Sequence, residues 1–524
     1  MRLIKSRPCL ALPISNNMPA VRVTFSAGGD DVWELDCRLD FENPAYTIPL
    51  DFSRFFGDAD EIELQISPDF EFEDCELVKS EYDELYRPQL RFSPMYGWTN
   101  DPNGLCFYKG LYHMFFQHNP AGTTWGNMHW GHATSEDLTH WTEHKIALYP
   151  DPDAHTIFSG CAIVDHDNVS GLGKKNNPAM LLFYTAAGQP FEQRLAYTTD
   201  GFTFHRYESG LGVSGTAVVP HIRGDNRDPK VIWCEELSKF VMALYLADNT
   251  FTLLTSSNLL DWTRLQDIEL PGDAECPDFY PLEADDGSRR WVLSGASGHY
   301  YVGEFKKGRA GTGLIFEPTQ GWRSFQPTGG AGDPPTLGYA AQTFSDEPKG
   351  RRIRICWQRV STPNGAVFNQ NMSFPHEVKL VRERSGGFRL TAQPINEITL
   401  LITDRGHALR ADFDVVSNTD ASLMLRGVKI PLPKGEYRAT VLLDGNSWER
   451  YIPALGDVCS GVMPTMTPPE PKKRSSRRKL LPLRPIYTTR DKGGYFFERA
   501  TVKAYGEKAL ESVWKKPFKA EVEF

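Results

Sequence analysis

A short motif that recurs in the middle of the chain constrains the fold more than any other feature. Its copies begin at Ser135, Thr198 and Ser256, so about 60 residues separate one copy from the next. Each copy is a polar turn followed by an aromatic residue. The short apolar runs between the turns are Leu111–Phe116, Met180–Tyr184, Phe240–Tyr245, Trp291–Leu293 and Ile353–Trp357. Short strands and turns that repeat without a helical period are typical of a β-propeller, and an irregular β-sandwich is the alternative.

Alternating apolar and polar residues predict strands on both sides of this region. The runs are Val21–Phe25 and Glu61–Ile66 before it, and Tyr437–Asp444 and Glu498–Tyr505 after it. We therefore predict an all-β chain with three domains. These are a small β-sandwich over residues 1–86, a propeller of about five blades over residues 87–380, and a further β domain over residues 381–524.

Composition and charge argue against several classes of function. With 57 basic and 67 acidic residues the net charge is −10, which does not favour nucleic acid or an anionic membrane as a partner. No apolar run approaches the ~18 residues of a membrane helix. The basic N-terminus is a poor secretion signal because prolines interrupt its apolar stretch. A cytoplasmic location and an exported protein with a trimmed signal both remain open. Aromatic side chains beside carboxylates suit carbohydrate binding, although most of the aromatics should lie in the core.

Neither the cysteines nor the histidines form a recognisable metal site. The cysteines are scattered at Cys9, Cys37, Cys75, Cys106, Cys161, Cys234, Cys276, Cys356 and Cys459. This pattern indicates neither a disulfide scaffold nor a zinc ribbon, and we expect most of them to be buried thiols. The pairs His129/His132 and His140/His144 have no third ligand nearby, so we interpret them as structural hydrogen-bonding residues. Without a glycine-rich phosphate loop either, we expect no metal and no cofactor.

Three carboxylates occupy unusual local settings. Asp101 lies in an Asn-Asp-Pro-Asn-Gly segment, where Pro and Gly exclude a helix and Asn and Asp favour turns. We expect it where a strand ends or the chain bends, which is where scaffolds hold catalytic groups. Asp228 lies in Arg-Asp-Pro, and Glu275 precedes Cys276. Taken alone, each segment is also explained by a surface turn or ion pair.

Together and in this order, the three segments resemble glycoside hydrolase family 32, the family of invertases, inulinases and levanases. The resemblance runs from about Arg87 to about Leu380. It implies a five-bladed β-propeller with a C-terminal β-sandwich, and a retaining β-fructosidase that acts on fructans (levan or inulin) and on sucrose. Asp101 is then the nucleophile, Asp228 holds fructose hydroxyls, and Glu275 is the acid/base, whose pKa should be raised for that role.

The candidate substrate-binding residues surround these carboxylates in the sequence and are carried over by the same resemblance. They are Trp98, Asn100, Gln117, Trp125, Phe158, Ser159, Arg227 and Trp357. For the aromatic residues, core packing is the alternative interpretation. The segments Gly338–Phe344 and Phe368–Pro375 look more like the levanase and inulinase branch than like plant invertases.

The C-terminal part matches the family more loosely. Val441–Ile452 resembles an Asp-x-x-Ser-x-Glu hairpin of the family, and Leu510–Trp514 resembles its closing strand. Pro464–Pro485 departs from the pattern as a proline-led basic insertion, which we interpret as solvated; polyanion binding is the alternative. The oligomeric state is open.

Three alternative functions also remain open. A fructosyltransferase would pass the same intermediate to a sugar. An inverting, arabinanase-like propeller would hold its carboxyls ~6.5–9.5 Å apart. A fructan-binding protein would lack a working site, which the presence of all three carboxylates disfavours.

Overall fold

In the computed structural model, the regular secondary structure of the described residues is almost entirely β-strand, with two short 3₁₀ helices at Asn396–Leu400 and Pro453–Leu455. The structure describes residues 2–6, 9–27, 31–52, 62–75, 86–150, 156–208, 216–308, 313–325, 337–400, 409–417, 420–425, 428–463, 500–504, 511–513 and 521–523. Over these ranges no helix has the length and apolar character needed to cross a membrane.

The first strands form two antiparallel sheets. They are β1 (Arg2–Ser6), β2 (Cys9–Ile14), β3 (Val21–Ala27), β4 (Asp31–Cys37), β5 (Tyr46–Asp51), β6 (Ile62–Ser67) and β7 (Glu73–Asp74). One sheet has the order β1-β6-β3-β4 and the other β5-β2-β7. Burial alternates along β5, so one face of this strand points into an apolar core that the two sheets share. The strands predicted near Val21 and Ile62 are confirmed as β3 and β6.

A disulfide joins Cys9 and Cys75, whose Cα atoms lie 5.5 Å apart. The sequence analysis expected no disulfide scaffold and did not predict this bond. The two cysteines are 66 residues apart, so no local pattern indicates the pairing. The other seven cysteines are buried and outside this disulfide, which confirms the prediction of buried thiols.

Five antiparallel sheets follow along residues 97–394. Over the five sheets, most strands that are hydrogen-bonded neighbours also follow one another in the chain. The first sheet contains β8 (Gly97–Tyr108), β9 (Leu111–Asn119), β10 (His129–Ser135) and β11 (Thr142–Glu143). The second contains β12 (Thr156–Val164), β13 (Met180–Ala187), β14 (Glu192–Thr198) and β15 (His205–Arg206). The third contains β16 (Arg227–Cys234), β17 (Lys239–Ala247), β18 (Thr250–Ser256) and β19 (Thr263–Glu269). The fourth contains β20 (Asp278–Glu283), β21 (Arg289–Ser294), β22 (His299–Lys307), β23 (Leu314–Pro318) and β24 (Arg323–Ser324). The fifth contains β25 (Gly338–Thr343), β26 (Ile353–Gln358), β28 (Asn371–Met372), β29 (His376–Arg382) and β30 (Phe388–Pro394).

The first strands of these five sheets form a ring. β8 contacts β12 and β25, β12 contacts β16, β16 contacts β20, and β20 contacts β25. β27 (Phe368–Asn369) lies between strands of the fifth sheet in the chain but pairs in parallel with β8 of the first. The first and last sheets are therefore hydrogen-bonded to each other, and the ring brings residues that are distant in sequence to one axis.

The repeated motif forms the same turn in the first three sheets, directly after the third strand of each. A side-chain oxygen accepts two backbone N–H groups in every copy: Asp137 from Thr139 and His140, Asp200 from Phe202 and Thr203, and Asn258 from Leu260 and Asp261. The next residue is left-handed in each case, with φ of 68° at Leu138, 91° at Gly201 and 66° at Leu259. The periodic turns that the sequence predicted are thus confirmed in these sheets.

The last strands form two further sheets. They are β31 (Leu409–Ser417), β32 (Ala421–Leu425), β33 (Val428–Leu432), β34 (Gly435–Asp444), β35 (Ser447–Ile452), β36 (Asp457–Val462), β37 (Ala500–Ala504), β38 (Glu511–Val513) and β39 (Glu521–Glu523). Their orders are β36-β35-β34-β31-β37-β38 and β33-β32-β39. The predicted strands around residues 437–444 and 500–504 are confirmed, and so is the hairpin of β34 and β35. The predicted basic insertion Pro464–Pro485 lies outside the described residues.

A buried ionic cluster fastens this hairpin to the five sheets. Arg91 Nη2 donates to the carbonyl oxygen of Asp444 at 2.7 Å and to Ser447 Oγ at 2.8 Å. Its Nε and Nη1 lie 3.5 Å from the carboxylates of Asp444 and Glu449 respectively. All of these charged side chains are fully buried. Burial raises the pKa of both carboxyls, and the charge of Arg91 opposes that rise.

Arg91→Met should lower the free energy of unfolding by about 3–5 kcal/mol, because two buried carboxylates lose their cation. Arg264→Met is the control, since Arg264 pairs with Asp267 where both side chains are well exposed. Exposed pairs contribute about 0–1 kcal/mol. Thermal unfolding of the two variants measures the difference, and an equal, small loss in both would contradict the proposed importance of the cluster.

Candidate active site

Four of the five first strands are irregular at the same end of the ring. Their registers shift between Thr99 and Pro102 in β8, Phe158 and Gly160 in β12, Arg227 and Lys230 in β16, and Tyr339 and Gln342 in β25. A bulge bends a strand and redirects a side chain. The shifts coincide with Asp101, Ser159 and Asp228. Asp101 therefore lies at a bend, as predicted, but inside a strand near its start.

These irregular ends enclose a cavity of about 210 Å³. All three catalytic candidates line it, and so do all the substrate-binding candidates except Trp98. Trp98 instead donates its indole N–H to Asn100 Oδ1 at 3.1 Å and so supports a residue of the wall. The lining also includes Met128, Cys276 and Tyr339, to which the sequence analysis gave no role.

Asp101 is held by hydrogen bonds to one carboxylate oxygen. Ser159 Oγ donates to Asp101 Oδ2 at 2.6 Å, and the Cys276 thiol lies 3.5 Å from the same oxygen. Burial raises the pKa of Asp101, whereas hydrogen bonds from Ser159 and Asn100 oppose that rise by stabilising the ionised form. The carboxylate is fixed in orientation.

Asp228 is buried beside Asp101 in a left-handed backbone conformation, with φ of 64°. Its Oδ2 accepts the backbone N–H of Cys276 at 2.9 Å and lies 3.5 Å from the Cys276 thiol. Its own backbone N–H donates to Thr185 Oγ1 at 2.9 Å, which fixes the unusual backbone. Burial raises the pKa of Asp228 to about 7, against the positive charge of Arg227 and with a further rise from Asp101. Cys276 thus bridges the two aspartates.

The expectation of a raised pKa at Glu275 is wrong for this structure. Burial would raise that pKa, but two donors outweigh it: Tyr339 donates its hydroxyl to Glu275 Oε2 at 2.5 Å, and Arg227 Nη2 donates to Oε1 at 2.6 Å. Both stabilise the ionised carboxylate, so the pKa lies below its ordinary value. Three interacting carboxyls titrate as one coupled system. Burial favours the neutral form of the two aspartates, whereas Tyr339 and Arg227 favour the ionised form of Glu275.

The wall of the cavity combines aromatic rings with a polar group that has spare hydrogen-bonding capacity. Trp125 is 58% exposed, which excludes the core-packing alternative for this residue, and its ring meets Phe158 edge-on at 6.1 Å between centroids. Trp357 meets Tyr339 in the same way at 6.1 Å. Gln117 is buried, and its Oε1 has no hydrogen-bond partner among the described residues. A buried acceptor of this kind suits a ligand hydroxyl.

The histidines singled out in the sequence hydrogen-bond protein groups instead of gathering at the cavity. The contacts are Trp33 Nε1 to His129 Nε2 at 3.0 Å, His113 Nδ1 to His132 Nε2 at 3.0 Å, His140 Nδ1 to Asp137 Oδ2 at 2.8 Å, and His144 Nε2 to Thr134 Oγ1 at 2.7 Å. Within the described ranges no three His, Cys, Asp or Glu residues are grouped to hold a metal ion.

Tyr339 and Cys276 are the residues that sequence reasoning missed. Tyr339 lies in the segment Gly338–Phe344, which was noted only for its resemblance to one branch of the family. Cys276 follows Glu275 directly, and we predicted only a buried thiol there. Adjacency to a catalytic candidate was the available signal for Cys276, whereas the contact of Tyr339 with Glu275 spans 64 residues and leaves no local signal.

Comparisons with known proteins identify relatives of this chain. Residues 91–394 match the family model described as the glycosyl hydrolases family 32 N-terminal domain. The chain is 35% identical to a levanase of Bacillus subtilis over 349 residues, 61% of this chain and 48% of that protein. It is 42% identical to a fructan beta-fructosidase of Streptococcus mutans over 228 residues, 43% of this chain and 15% of that protein.

Solved structures share the fold. An exo-inulinase from Aspergillus awamori aligns with a TM-score of 0.60 at 23% identity, over 73% of this chain and 94% of that one. A fructofuranosidase from Schwanniomyces occidentalis, complexed with fructose, aligns with a TM-score of 0.59 at 23% identity, over 74% of this chain and 93% of that one.

A cavity lined with carboxylates and aromatic rings, at one end of a ring of β-sheets, is what we expect of a glycoside hydrolase. The match over residues 91–394 places the chain more narrowly: it belongs to glycosyl hydrolases family 32. The chain spans about half, or less, of the length of the two relatives named above.

Proposed function

We propose that this chain is a retaining β-fructosidase that hydrolyses terminal β-D-fructofuranosyl bonds of fructans and sucrose through a covalent fructosyl-enzyme. One observation carries the proposal. A single cavity brings together Asp101 and Asp228 from two different sheets and Glu275 from the loop before β20, each with a distinct set of hydrogen-bond partners. Two carboxyls in different protonation states are what glycoside hydrolysis requires.

The proposal includes the architecture around the site. The five sheets are the blades of a five-bladed propeller, preceded by a β module over residues 1–86 and followed by a β-sandwich. The propeller was predicted to end at residue 380 and the sandwich to begin at residue 381, but the fifth sheet includes β29 and β30 and so continues to Pro394. The ring of first strands and the parallel pairing of β27 with β8 support the blade count. The two sheets that share β31–β39, with their own apolar core, support the C-terminal sandwich.

Asp101 acts as the nucleophile in this mechanism. Its Oδ1 attacks C2 of the fructosyl unit while the bond from C2 to the leaving oxygen breaks, which forms an ester to the enzyme and inverts C2. Ser159 and Cys276 hold the other oxygen, so the attack needs little reorientation. In the second step water attacks C2 while the bond from C2 to the Asp101 oxygen breaks, which releases the Asp101 carboxylate and inverts C2 again, so the β configuration returns.

Glu275 donates the proton to the leaving oxygen and later takes one from the incoming water. Glu275 must be protonated before it can act as the acid, and bound substrate produces the rise in its pKa that this requires. Fructose hydroxyls that donate to Asp228 stabilise its ionised form, and exclusion of water disfavours the ionised form of Glu275. The proton of the coupled carboxyls then moves from the aspartate pair to Glu275.

Arg227, Asp228 and Gln117 bind and orient the sugar. Arg227 stacks over Tyr245, with its guanidinium carbon 4.7 Å from the ring centroid, and contacts both Asp228 and Glu275. Gln117 Oε1 is available to a hydroxyl donor. Hydrogen bonds to a charged acceptor such as Asp228 strengthen as positive charge develops on the ring, so they stabilise the transition state more than the ground state.

The substrate class follows from the family and from the names of the relatives. A levanase and a fructan beta-fructosidase are among them, so levan, inulin and sucrose are the substrates to test. Incubation of the purified protein with each one should release free fructose. Predominant transfer of fructose to a second sugar would favour the fructosyltransferase alternative, and binding without any product would favour a binding protein.

Tyr339→Phe should shift the basic limb of the pH profile of kcat/KM to higher pH. The Tyr339 hydroxyl lowers the pKa of Glu275 by stabilising its ionised form, so its removal raises that pKa, and the protonated acid persists to higher pH. Tyr108→Phe is the control, because the Tyr108 hydroxyl donates to Pro178 O at 2.8 Å outside the cavity. A limb that stays in place, or moves to lower pH, would contradict the role given to Tyr339.

A further inference from the structure

The loop that carries Trp125 into the cavity lies against the N-terminal sheets. This loop, residues 120–128, joins β9 to β10. An exposed ring is not fixed by core packing, and 58% of Trp125 is exposed. The position of the ring therefore depends on how the backbone of the loop is held.

Asn127 fastens one side of the loop to the N-terminal sheet β1-β6-β3-β4. Its Oδ1 accepts the backbone N–H of Asp36 at 2.8 Å, and its Nδ2 donates to the carbonyl oxygen of Asp36 at 2.9 Å. Asp36 lies in β4, the edge strand of that sheet, so Asn127 satisfies backbone groups that an edge leaves unpaired. Asn127 itself has φ of 45°, a conformation that Asn tolerates better than most residues.

Thr123 is held on the other side of Trp125. Its backbone N–H and its Oγ1 both donate to the hydroxyl of Tyr46, at 3.1 and 2.9 Å. The Tyr46 hydroxyl donates in turn to Asn16 Oδ1 at 2.6 Å, and Asn16 Nδ2 returns to Thr123 Oγ1 at 3.0 Å. Tyr46 and Thr123 are buried and Asn16 is exposed, so the hydrogen bonds between Tyr46 and Thr123 are the ones shielded from water.

The sheets of the ring hold the loop as well, in part through Asn127 itself, whose Nδ2 also donates to Asn119 Oδ1 at 3.0 Å. Asn119 Nδ2 donates to Thr124 O at 2.9 Å, and Asn369 Nδ2 donates to Thr123 O at 2.9 Å. The contacts from the N-terminal sheets add a second attachment at Thr123, two residues before Trp125, and at Asn127, two residues after it.

We propose that the N-terminal sheets are a positioning element of the active site. Through Tyr46 and the backbone of Asp36 they hold residues 123–127 so that Trp125 stays against Phe158 at the cavity wall, and in this way they set the affinity for the sugar that contacts Trp125. Neither Tyr46 nor Asp36 lines the cavity, so both act through the loop. The inference rests on the proposed β-fructosidase function.

Tyr46→Phe and Asn127→Gly test the inference in the full-length chain. Phe keeps the ring and removes the shared hydroxyl, while Gly accepts the left-handed backbone and removes the amide. Each should lower kcat/KM on levan or inulin by about 3- to 30-fold, mainly through KM, since each removes hydrogen bonds at the loop and not at the reacting carbon. Tyr437→Phe is the matched control, because the Tyr437 hydroxyl donates to Pro433 O at 2.6 Å in the C-terminal sheets.

The double variant of Tyr46→Phe with Trp125→Ala separates positioning from general destabilisation. Without the Trp125 ring, Tyr46→Phe should lower kcat/KM no further. If Tyr46→Phe lowers kcat/KM equally with and without the Trp125 ring, the inference is overturned. It is also overturned if Tyr46→Phe causes no loss of kcat/KM in an active enzyme that retains Trp125.

Fluorine NMR of fluorotryptophan-labelled protein decides the same question without activity. The Trp125 resonance, assigned with Trp125→Ala, should move in Tyr46→Phe and stay in place in Tyr437→Phe. An unmoved resonance would overturn the inference even in an active enzyme. A moved resonance in a chain that releases no fructose would support the positioning and count against the β-fructosidase function alone.

Discussion

Asp101→Asn should abolish turnover on levan, inulin and sucrose, with kcat lower by about 10⁴-fold or more. Asn has nearly the shape of Asp but is a far poorer nucleophile, so the ester to C2 cannot form. The variant should fold normally. Burial already disfavours the charge of Asp101, so a neutral side chain does not cost stability there.

Asp165→Asn is the matched control for this variant. Asp165 is also buried, and its carboxylate accepts the backbone N–H groups of Val169 and Ser170 in a loop away from the cavity. It should lose stability and keep kcat. Near-normal turnover by Asp101→Asn, with the fold intact by circular dichroism, would remove Asp101 from the role of nucleophile.

Glu275→Gln should lower kcat/KM on sucrose by about 10²- to 10⁴-fold, the usual contribution of a general acid. A fructoside with an activated aryl leaving group needs no protonation, so its first step should be largely spared. The second step still lacks its base. Glu275→Gln should therefore show a burst of aryl alcohol followed by slow turnover, a pattern that Asp101→Asn cannot show.

Glu347→Gln is the matched control for Glu275→Gln. Glu347 also accepts a tyrosine hydroxyl and an arginine, from Tyr112 and Arg351 at 3.0 Å each, but it lies outside the cavity. It should lower the thermal midpoint and keep kcat/KM. Equal losses of activity in the two variants, or a Glu275→Gln enzyme without a burst, would remove Glu275 from the acid/base role.

The sequence predicted those parts of the fold that depend on residues close together in the chain. Each turn of the repeat is made by a side chain that caps a backbone only a few residues away, as Asp200 does for Phe202 and Thr203, so the signal survives in the linear order. The strands near Val21, Glu61 and Tyr437 were predicted for the same reason, because alternation is a local pattern. Membership of the family followed from three short segments whose residues stand close together in the chain.

Electrostatics and backbone geometry at the site could not be predicted in this way. The pKa of Glu275 depends on Arg227 and Tyr339, which are 48 and 64 residues away, and the resemblance specified neither contact. Asp228, Glu275 and Cys276 all have positive φ, although none of them is glycine. Local preferences disfavour such conformations, which persist only where surrounding structure enforces them, often at functional sites. The contact of Asp36 with Asn127 spans 91 residues and is equally invisible in the sequence.

The anomer of fructose that is released first tests the central claim most directly. Two successive inversions at C2 through an Asp101 ester return the β configuration, whereas direct attack of water inverts it once. Proton NMR of the hydrolysis of a β-fructofuranoside, recorded before mutarotation, distinguishes the two. The mechanism predicts that β-D-fructofuranose appears first. Initial release of the α-anomer would contradict a covalent intermediate on Asp101.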